Sequence, residues 1–422
     1  MSTGLRVVYA NLVSGLAVDL DERAVLGAWA EQAPREAWLL DADDVLVSPV
    51  PVDEAFCRYV CELMGVARGA VTVVTRPDAF PAPGRPGPRR PAVEAVRAAV
   101  AGRPVDAVLP TALDAAVADL ARALGATVAP YASADSAEAA LEVTRLLNTK
   151  AGFRRVALGL GIRVPDGRVR RRAEVAGAVA ELLAAHGEVV VKPDRSAGGH
   201  GLRFLAAGEP WTGADLAPVG GPGGLWVVEE RLDVARSVSV QLETGPDGPK
   251  VLFAGEMRTE AGRFTGYRSP LPPAAAPVGP VLERWGHRLG TFLAEHGYAG
   301  PFGIDAMVTA DGALIAGESN VRRTATTTPR AMVDRLAAAA GAGGPAWATG
   351  RLRAAEALSF DAAVRSLSGA RIAWEPAGAG GVLLYAGPPV DGRTWRYAVI
   401  AADGAAVAGY EEVLRDIWCG ER

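Results

Sequence analysis

Cysteine, histidine and lysine are scarce in this chain of 422 residues. The three cysteines, Cys57, Cys61 and Cys419, are too few to form a disulfide framework in a chain of this size. Cys57 and Cys61 are spaced to share one face of a helix, but the four histidines are scattered and supply no further zinc ligands. We therefore interpret both cysteines as small buried hydrophobic residues.

The chain also lacks a strong charge of one sign and a long apolar run. Its formal net charge is −4 and its pI is near 5.8, so the composition does not favour nucleic acid as a partner. No apolar run reaches membrane-spanning length and the first residues have no signal-peptide pattern, which indicates no membrane partner and a reduced cytoplasm as the location. The length of 422 residues is sufficient for two or three domains with cores of their own, and the 50% hydrophobic composition does not favour a disordered or fibrous protein.

The order of the predicted elements indicates an α/β segment followed by a largely antiparallel one. Short apolar strands are predicted at 5–10, 37–40, 71–75 and 106–110, with helices between them, so an open α/β layer is expected up to about residue 125. Asn11, directly after the first strand, is either a ligand contact or a residue that caps a turn. The proline- and glycine-rich stretch 80–91 is predicted to be a loop.

The second segment begins near residue 134 with one predicted helix that runs through 136–161. Apolar strands separated by turn residues follow, which predicts mostly antiparallel sheet. Later come a helix at 278–296, a hairpin, and a helix near 329–340. The tail from about residue 373 is predicted to form a small β-rich cap that ends in a helix.

The segment 188–204 combines a lysine with a glycine-rich loop. An apolar strand ends at Lys192, and the loop after it contains one serine and three glycines: Ser196, Gly198, Gly199 and Gly201. Glycines let a backbone approach a ligand closely and turn its N–H groups inward, which suits a polyphosphate. A plain hairpin loop explains the same residues. A Walker-type loop is excluded, because no Gly-Lys-Ser/Thr follows and a strand comes next.

The hairpin at 305–320 carries the strongest chemical signal. Its two strands meet at Asp311-Gly312, a strong signal for a two-residue turn, and pairing outward from that turn sets Asp305 opposite Glu318. Asn320 follows two residues later and shares the face of Glu318. Oxygens from these three side chains suit Mg²⁺ when a substrate's phosphates complete its octahedron. The alternative is a solvated acidic face, although both strands are otherwise apolar.

Two neighbouring features are less specific. Arg322 lies just beyond the acidic residues, where a guanidinium would clamp a phosphate or an oxyanion, or would belong to a surface arginine pair with Arg323. The strand 225–233 turns abruptly acidic at Glu229. Such a strand edge offers backbone groups to an adenine, or it is a solvated strand end.

In their order, these motifs resemble the ATP-grasp ligase superfamily over about residues 135–335. The resemblance implies an ATP-grasp fold, α/β and α+β in class, with an N-terminal open α/β (pre-ATP-grasp) domain at 1–130. It further implies a core at 131–372, with a lid subdomain at about 150–230, and the C-terminal cap at 373–422.

The resemblance also implies a role for each motif. ATP would be bound by phosphate-contacting lysines, a closing loop and a hinge, matched by Lys150, Lys192, Ser196, Gly198, Gly199, Gly201, Glu229, Glu230, Leu232 and Asp233. Mg²⁺, with Mn²⁺ as an alternative ion, would be bound by Asp305, Glu318 and Asn320. Arg322 and Lys192 would be catalytic.

The chain departs from the family pattern in two places. Many members have a Glu or His for the ribose seven or eight residues after the hinge acid, where this chain has Arg236 and Ser237, so Asp233 is the candidate for that contact. D-alanine ligases have an arginine two residues before the first metal-binding acid, where this chain has Gly303. The architecture is more similar to actinobacterial peptide ligases of the pheganomycin peptide ligase type.

The implied function is ATP-dependent ligation of a small-molecule carboxylate and an amine, an amino acid or a peptide, through an acyl phosphate. The product would be an amide or peptide bond, as in peptide natural-product biosynthesis, and the enzyme would act alone or as a homodimer. Arg258, Arg263 and Arg268 are candidates to hold the carboxylate. The alternatives are carboxylate–thiol ligation, another acyl-phosphate acceptor, an ATP-binding module without turnover, and a carbohydrate-binding β-protein.

Overall fold

The N-terminal part of the chain is a parallel α/β layer. The computed structural model describes residues 4–420 apart from 17–22, 78–79, 81–88, 197–198, 200, 214–215, 217–223, 261–262, 342, 377 and 379. The strands of the layer are β1 (Arg6–Tyr9), β2 (Val45–Ser48), β3 (Thr72–Thr75), β4 (Ala107–Pro110) and β5 (Thr127–Val128). Its helices are α1 (Arg23–Ala30), α2 (Glu54–Met64), α3 (Arg89–Val100) and α4 (Ala115–Leu124), with 3₁₀ turns at Ala33–Leu39 and Arg68–Ala70.

The five strands pair in parallel in the order β3-β2-β1-β4-β5, which confirms the predicted open layer. The strand predicted at 37–40 is wrong, because these residues belong to the 3₁₀ turn that ends at Leu39 and to the residue after it. A four-residue apolar run does not distinguish a strand from a buried helical turn. Here Trp38 is fully buried and its indole N–H donates to the carbonyl of Tyr385 at 3.1 Å.

The predicted loop at 80–91 falls largely outside the described residues. Its last three residues differ from the prediction, since α3 already begins at Arg89. Pro91 is tolerated there because the first turn of a helix has no intrahelical partner for the backbone N–H. Both cysteines of α2, Cys57 and Cys61, are buried and free, as predicted.

The single helix predicted at 136–161 is also wrong. Three helices take its place: α5 (Ala134–Ala139), α6 (Leu141–Leu147) and α7 (Lys150–Gly159). The break comes at Asn148 and Thr149, where the Thr149 hydroxyl accepts from the N–H of Gly152 at 3.0 Å and caps the new helix. Lys150 therefore stands at the start of a helix and not in its interior.

A second unit is an antiparallel sheet with a core of its own. Its elements are β6 (Gly167–Arg171), α8 (Val175–His186), β7 (Glu188–Pro193), β8 (Arg203–Ala206) and β9 (Leu225–Glu230), with a 3₁₀ turn at Arg172–Glu174. The strands pair in the order β6-β9-β7-β8. Side chains of α8 pack on the sheet around Trp226, which is fully buried.

The largest unit is an eight-stranded sheet. Its strands are β10 (Val234–Gly245), β11 (Gly248–Glu260), β12 (Arg263–Ser269), β13 (Gly300–Thr309), β14 (Leu314–Asn320), β15 (Ala346–Arg353), β16 (Gly381–Leu384) and β17 (Thr394–Ala401). Its helices are α9 (Gly279–Glu295), α10 (Thr327–Ala339), α11 (Phe360–Gly369) and α12 (Gly404–Cys419), with a 3₁₀ turn at Ala276–Val278. The order is β14-β13-β10-β11-β12-β15-β17-β16, so the strands of the expected C-terminal cap extend this sheet at one edge. The domain boundaries remain a prediction.

The β13–β14 hairpin reaches its predicted pairing by another route. Asp305 does pair with Glu318, but the turn has three residues, 310–312, and not two. Gly312 takes the positive φ of 84° that such a turn requires at its last position. The extra turn residue shifts the register by one, and a bulge between the pairs Ala306–Ala316 and Asp305–Glu318 shifts it back at Gly317.

No helix among the described residues is long and apolar enough to cross a membrane.

Gly266 tests how closely β12 and β15 must pack. A Cβ on Gly266 would lie 2.1 Å from the carbonyl oxygen of Thr349 in the neighbouring strand, which is backbone and cannot rotate away. We expect Gly266→Ala to lower the free energy of unfolding by about 2–4 kcal/mol. The matched control is Gly409→Ala in α12, where a Cβ meets nothing within 4 Å and which should gain about 0.5–1 kcal/mol. Urea unfolding of both variants measures the difference, and equal stability would contradict the packing described.

Candidate active site

Two carboxylates face each other across the β13–β14 hairpin. Asp305 is half-buried, and the side chain of Glu318 is 32% exposed. Asn320 donates from Nδ2 to Asp305 Oδ2 at 2.9 Å, so all three predicted metal-binding side chains lie on one face of the sheet. The adjacent β10 strand contributes Ser239 opposite Asp305 on the same face. The face is therefore polar where both strands are otherwise apolar.

Lys150 links this acidic pair to the glycine-rich loop. Its Nζ lies 3.1 Å from Glu318 Oε2 and donates to the carbonyl of Ser196 at 2.9 Å. The start of α7 is fixed to the end of β7, because the N–H groups of Lys150 and Ala151 donate to the carbonyl and the carboxylate of Asp194 at 3.0 and 2.8 Å. This junction explains how a lysine at residue 150 meets a loop at residue 196.

Lys192 is paired with the hinge glutamate. Its Nζ lies 2.6 Å from Glu229 Oε2, and Arg154 Nη1 lies 3.2 Å from Glu229 Oε1. Glu229 is 4% exposed, so its charge is balanced by two cations inside the protein. Arg154 also donates to the backbone carbonyls of Pro165 and Gly167, which fixes its position.

Arg322 is held by Asn148. A guanidinium N–H donates to Asn148 Oδ1, and Asn148 Nδ2 donates to the carbonyls of Thr144 and Val321 at 2.8 and 3.2 Å. Asn148, in the segment between α6 and α7, is thus hydrogen-bonded to the two residues that follow β14. Direct contacts join Lys150 to Glu318 and Ser196, Lys192 to Glu229, and Asn320 to Asp305. The charges of Lys192 and Arg322 also act on Glu318, so these residues belong to one group.

The remaining hinge and loop residues are placed differently. Glu230 turns its carboxylate to the N–H of Asp166 at 2.8 Å, and Asp233 is exposed. Leu232, which lies between them in the sequence, is half-buried. Gly199 and Gly201 have positive φ values of 79° and 76°, which glycine adopts without strain. Gly198 lies outside the described residues.

The three arginines considered for the substrate carboxylate are not gathered at this site. Arg258 forms an ion pair with Glu411, and Arg268 forms one with Glu256. Arg263 is exposed on β12. Arg236, at the position where the family often has a ribose contact, lies 2.8 Å from Glu256 and is engaged there.

The charges of this group act strongly on one another. Burial and the neighbouring Glu318 raise the pKa of Asp305 to about 7. Burial alone would raise the pKa of Glu318 as well, but the charges of Lys150, Lys192 and Arg322 lower it below its usual value. Burial lowers the pKa of Arg322, and the two carboxylates partly offset this. One carboxylate is therefore satisfied by the protein's own cations and the other is not.

Sequence reasoning missed Asn148, Arg154 and Asp194. The signal for Asn148 was present, because Asn-Thr before a lysine is a helix-capping pair and predicts a helix start at residue 150. Arg154 and Asp194 act through partners far away in the chain, and nothing in their local sequence marks them. Asn11 proved to be the turn-capping alternative, since its Oδ1 accepts from the N–H groups of Thr111 and Ala112 at 3.0 Å.

Residues 33–126 match the family model of the Pre ATP-grasp domain. With the structural likeness given below, this match identifies the parallel layer, the four-stranded sheet and the eight-stranded sheet as an ATP-grasp fold, which confirms the predicted fold class. No curated protein has a sequence that matches the chain.

Three solved structures illustrate the likeness. N5-carboxyaminoimidazole ribonucleotide synthetase from Thermus thermophilus is 15% identical with a TM-score of 0.58, and the match covers 98% of each chain. The Staphylococcus aureus N5-carboxyaminoimidazole synthetase complexed with ADP is 10% identical with a TM-score of 0.57, over 100% of this chain and 98% of that one. The biotin carboxylase domain dimer of Hydrogenobacter thermophilus 2-oxoglutarate carboxylase, in complex with MgADP, ADP and bicarbonate, is 13% identical with a TM-score of 0.61, over 99% and 91%. At these identities the likeness shows the fold.

The raised pKa of Asp305 makes a prediction for the protein without metal. An aspartate whose pKa is higher in the folded than in the unfolded state costs stability as the pH rises from about 4 to about 7. Asp305→Asn removes that cost, so in EDTA the variant should be more stable than the wild type at pH 8 by roughly 2 kcal/mol. The estimate follows because one pKa unit is worth about 1.4 kcal/mol and the neighbouring cations reduce the full effect. Urea unfolding at pH 5 and pH 8 measures the difference. If the stability of the variant relative to the wild type stays constant or falls between pH 5 and pH 8, the carboxylate of Asp305 is not repelled by that of Glu318.

Proposed function

We propose that this protein is an ATP-dependent ligase that joins a carboxylate to an amine through an acyl phosphate and releases ADP and phosphate. The observation that carries the proposal is the opposed pair Asp305 and Glu318, of which Glu318 feels the charges of Lys150, Lys192 and Arg322. Three cations around two carboxylates suit a triphosphate with its metal ion better than any neutral ligand. The structures of similar fold in complex with ADP and MgADP support the same nucleotide.

The residues at the hairpin fit a magnesium ion. Asp305, Glu318 and Asn320 offer two carboxylates and an amide, a set with room for phosphate oxygens and water in an octahedron. The described residues contain no cluster of three or more His, Cys, Asp or Glu that could bind a metal ion through protein side chains alone. When bound there, Mg²⁺ would neutralise phosphate charge during transfer. The unsatisfied charge of Asp305 indicates that the site is built for a cation.

We assign phosphate binding to the two lysines and the loop between β7 and β8. Lys150 and Lys192 now neutralise Glu318 and Glu229, and both side chains are largely buried at 11% and 14% exposure. Bound nucleotide would compete for these ammonium groups. Ser196, Gly198, Gly199 and Gly201 would supply backbone N–H groups and exclude water from the reacting atoms.

The hinge is assigned to the nucleoside. The N–H groups of Glu230 and Arg231 are already bonded to the carbonyls of Asp166 and Glu188, whereas within the described residues the N–H of Leu232 has no such partner. Leu232 and the hinge carbonyls would therefore face the adenine. Asp233, exposed at the end of the hinge, is our candidate for the ribose.

Arg322 would stabilise the oxyanion of the second step. The substrate carboxylate attacks the γ-phosphorus and ADP leaves. The amine nitrogen then attacks the carbonyl carbon, phosphate leaves and the amine loses a proton. Arg322 is held next to the acidic pair by Asn148, so its guanidinium is oriented before the substrates arrive. The narrower proposal is a cytoplasmic peptide or amino acid ligase of natural-product biosynthesis, like the pheganomycin peptide ligase, and mass spectrometry of products from a pooled amino acid and peptide incubation tests it.

Lys192→Ala tests the phosphate site. Loss of its charge should lower ADP release in the presence of ATP, Mg²⁺ and pooled amino acids by about 10²-fold or more, because nothing else in β7 replaces the ammonium group. The control is Arg58→Ala, which removes an exposed cation of α2 that lies 4.0 Å from Asp361 and is not among the site residues. Wild-type turnover by Lys192→Ala would refute the assignment. A wild-type protein that neither binds MgADP nor releases ADP would refute the ligase proposal itself.

Glu318→Ala tests the metal site. The change removes one of the two opposed carboxylates, so ADP release should fall by about 10²-fold or more while the folded protein remains stable, since the repulsion on Asp305 is relieved. Turnover is measured over a magnesium titration, and thermal unfolding is measured on the same preparation. A variant that keeps activity at ordinary magnesium concentrations would show that Glu318 is not a metal ligand.

A further inference from the structure

A cavity of about 230 Å³ lies next to the candidate active site, where the ends of β4 and β5 face the end of β10 and the start of β13. This size is below the range for drug-sized ligands and suits a single small substrate. Its polar lining consists of Thr111, Tyr131, Glu243, Tyr298, Arg322 and Arg323. Arg322 belongs to both the cavity and the acidic pair, so the two spaces share one wall.

Thr111 and Arg323 leave hydrogen-bonding capacity on one side of the cavity. Thr111 is 5% exposed, and its hydroxyl is buried without a hydrogen-bond partner among the described residues. The backbone N–H of Arg323 donates to the carbonyl of Thr111 at 2.9 Å, which holds the two residues together. Within the described chain, the Arg323 guanidinium makes no hydrogen bond or ion pair. A buried unpaired hydroxyl beside an unengaged guanidinium suits a carboxylate.

The position of Thr111 is fixed by a buried network. Asn11, fully buried, accepts from the N–H groups of Thr111 and Ala112 at 3.0 Å and donates to Asp114 at 3.1 Å. Ser14 donates to the same carboxylate at 2.8 Å. The β4–α4 turn is therefore rigid before any ligand binds, which lowers the entropic cost of binding.

Glu243 supplies the opposite charge. It lies two residues beyond Gln241 and four beyond Ser239 on β10, on the face that carries Asp305, and it lines the cavity opposite Pro301. Glu243 is exposed at the edge of the cavity, and Lys250 lies opposite it on β11, although no ion pair of Glu243 within 4.0 Å is found among the described residues. A carboxylate at this position suits an ammonium group and opposes a phosphate dianion. The rest of the lining is aliphatic and includes Leu113 and Val128.

We propose that this cavity binds the amine substrate as a free aliphatic α-amino acid. Its carboxylate would lie on Arg323 and Thr111, its ammonium group toward Glu243, and its side chain against Leu113 and Val128. The acid to be activated would lie on the other side of Arg322, at the acidic pair. This inference rests on the proposed ligase function and adds the class of its second substrate.

Calorimetric binding to the full chain with saturating MgADP tests the assignment with three probes. These are L-valine, L-valinamide, which lacks the carboxylate, and 2-hydroxy-3-methylbutanoate, which lacks the ammonium group. We expect wild-type protein to bind L-valine at least about 10-fold more tightly than either analogue, because each analogue leaves one charged group of the cavity unpaired. Equal affinity for all three probes, or no binding of L-valine, would overturn the proposal.

Variants assign each charge to its residue. Arg323→Met should lower the affinity for L-valine by about 10–100-fold, and the variant should no longer bind L-valine more tightly than L-valinamide. Glu243→Gln should no longer bind L-valine more tightly than 2-hydroxy-3-methylbutanoate. Arg330→Met is the control, since Arg330 lines a separate cavity of about 440 Å³ and should leave the affinity for all probes unchanged. Unchanged L-valine binding in Arg323→Met would contradict the assignment. Tighter binding of inorganic phosphate than of L-valine in the cavity would contradict it as well.

MgADP binding on the same samples separates the two proposals. If MgADP binds and L-valine does not, the cavity assignment alone is wrong. If neither binds, the ligase function fails together with it.

Discussion

The opposition of Asp305 and Glu318 across two paired strands is the constraint on which the site depends. Two carboxylates at this separation repel each other, so cations must come from elsewhere in the chain. The four-stranded sheet contributes Lys192, the start of α7 contributes Lys150, and the segment after β14 contributes Arg322. Three different units of the fold thus meet at one pair of acids, and a metal ion with a triphosphate would complete the charge balance that the protein leaves open.

The parts of this arrangement that the sequence predicted are those encoded locally. The hairpin was visible from its turn residues, and the lysines stood out because the chain has so few. The helix start at residue 150 was missed although Thr149 marks it, because the apolar pattern continues on both sides of the break. Arg154 could not be found, since its role exists only when β6 and β9 pair and bring Glu229 beside it. The local sequence pattern therefore predicts helices and strands, whereas most of the candidate active site is formed by contacts between elements that are distant in the sequence.

The N-terminal layer is joined to the site by more than surface contact. In the 3₁₀ turn before β2, Arg35 and Glu36 are almost fully buried, and Glu36 accepts from the hydroxyl of Thr328 at 3.0 Å. Arg323 donates to Thr111 from the segment between Asn320 and Thr328. This segment follows the acidic strand directly, so the position of the N-terminal layer and that of Arg322 are set by the same few residues.

The bulge at Gly317 has a consequence for how such chains diverge. The residue added in the turn and the residue added at the bulge both lie outside the paired positions of the two strands. Deletion of Gly317 would remove the bulge and leave Asp305 opposite Glu318, and deletion of one turn residue would shorten the loop without changing the pairs beyond it. The number of residues between the two acids can therefore differ between related chains while the acids stay opposed. A fixed sequence spacing is then a poor guide to this site, and the strand pairing is the better one.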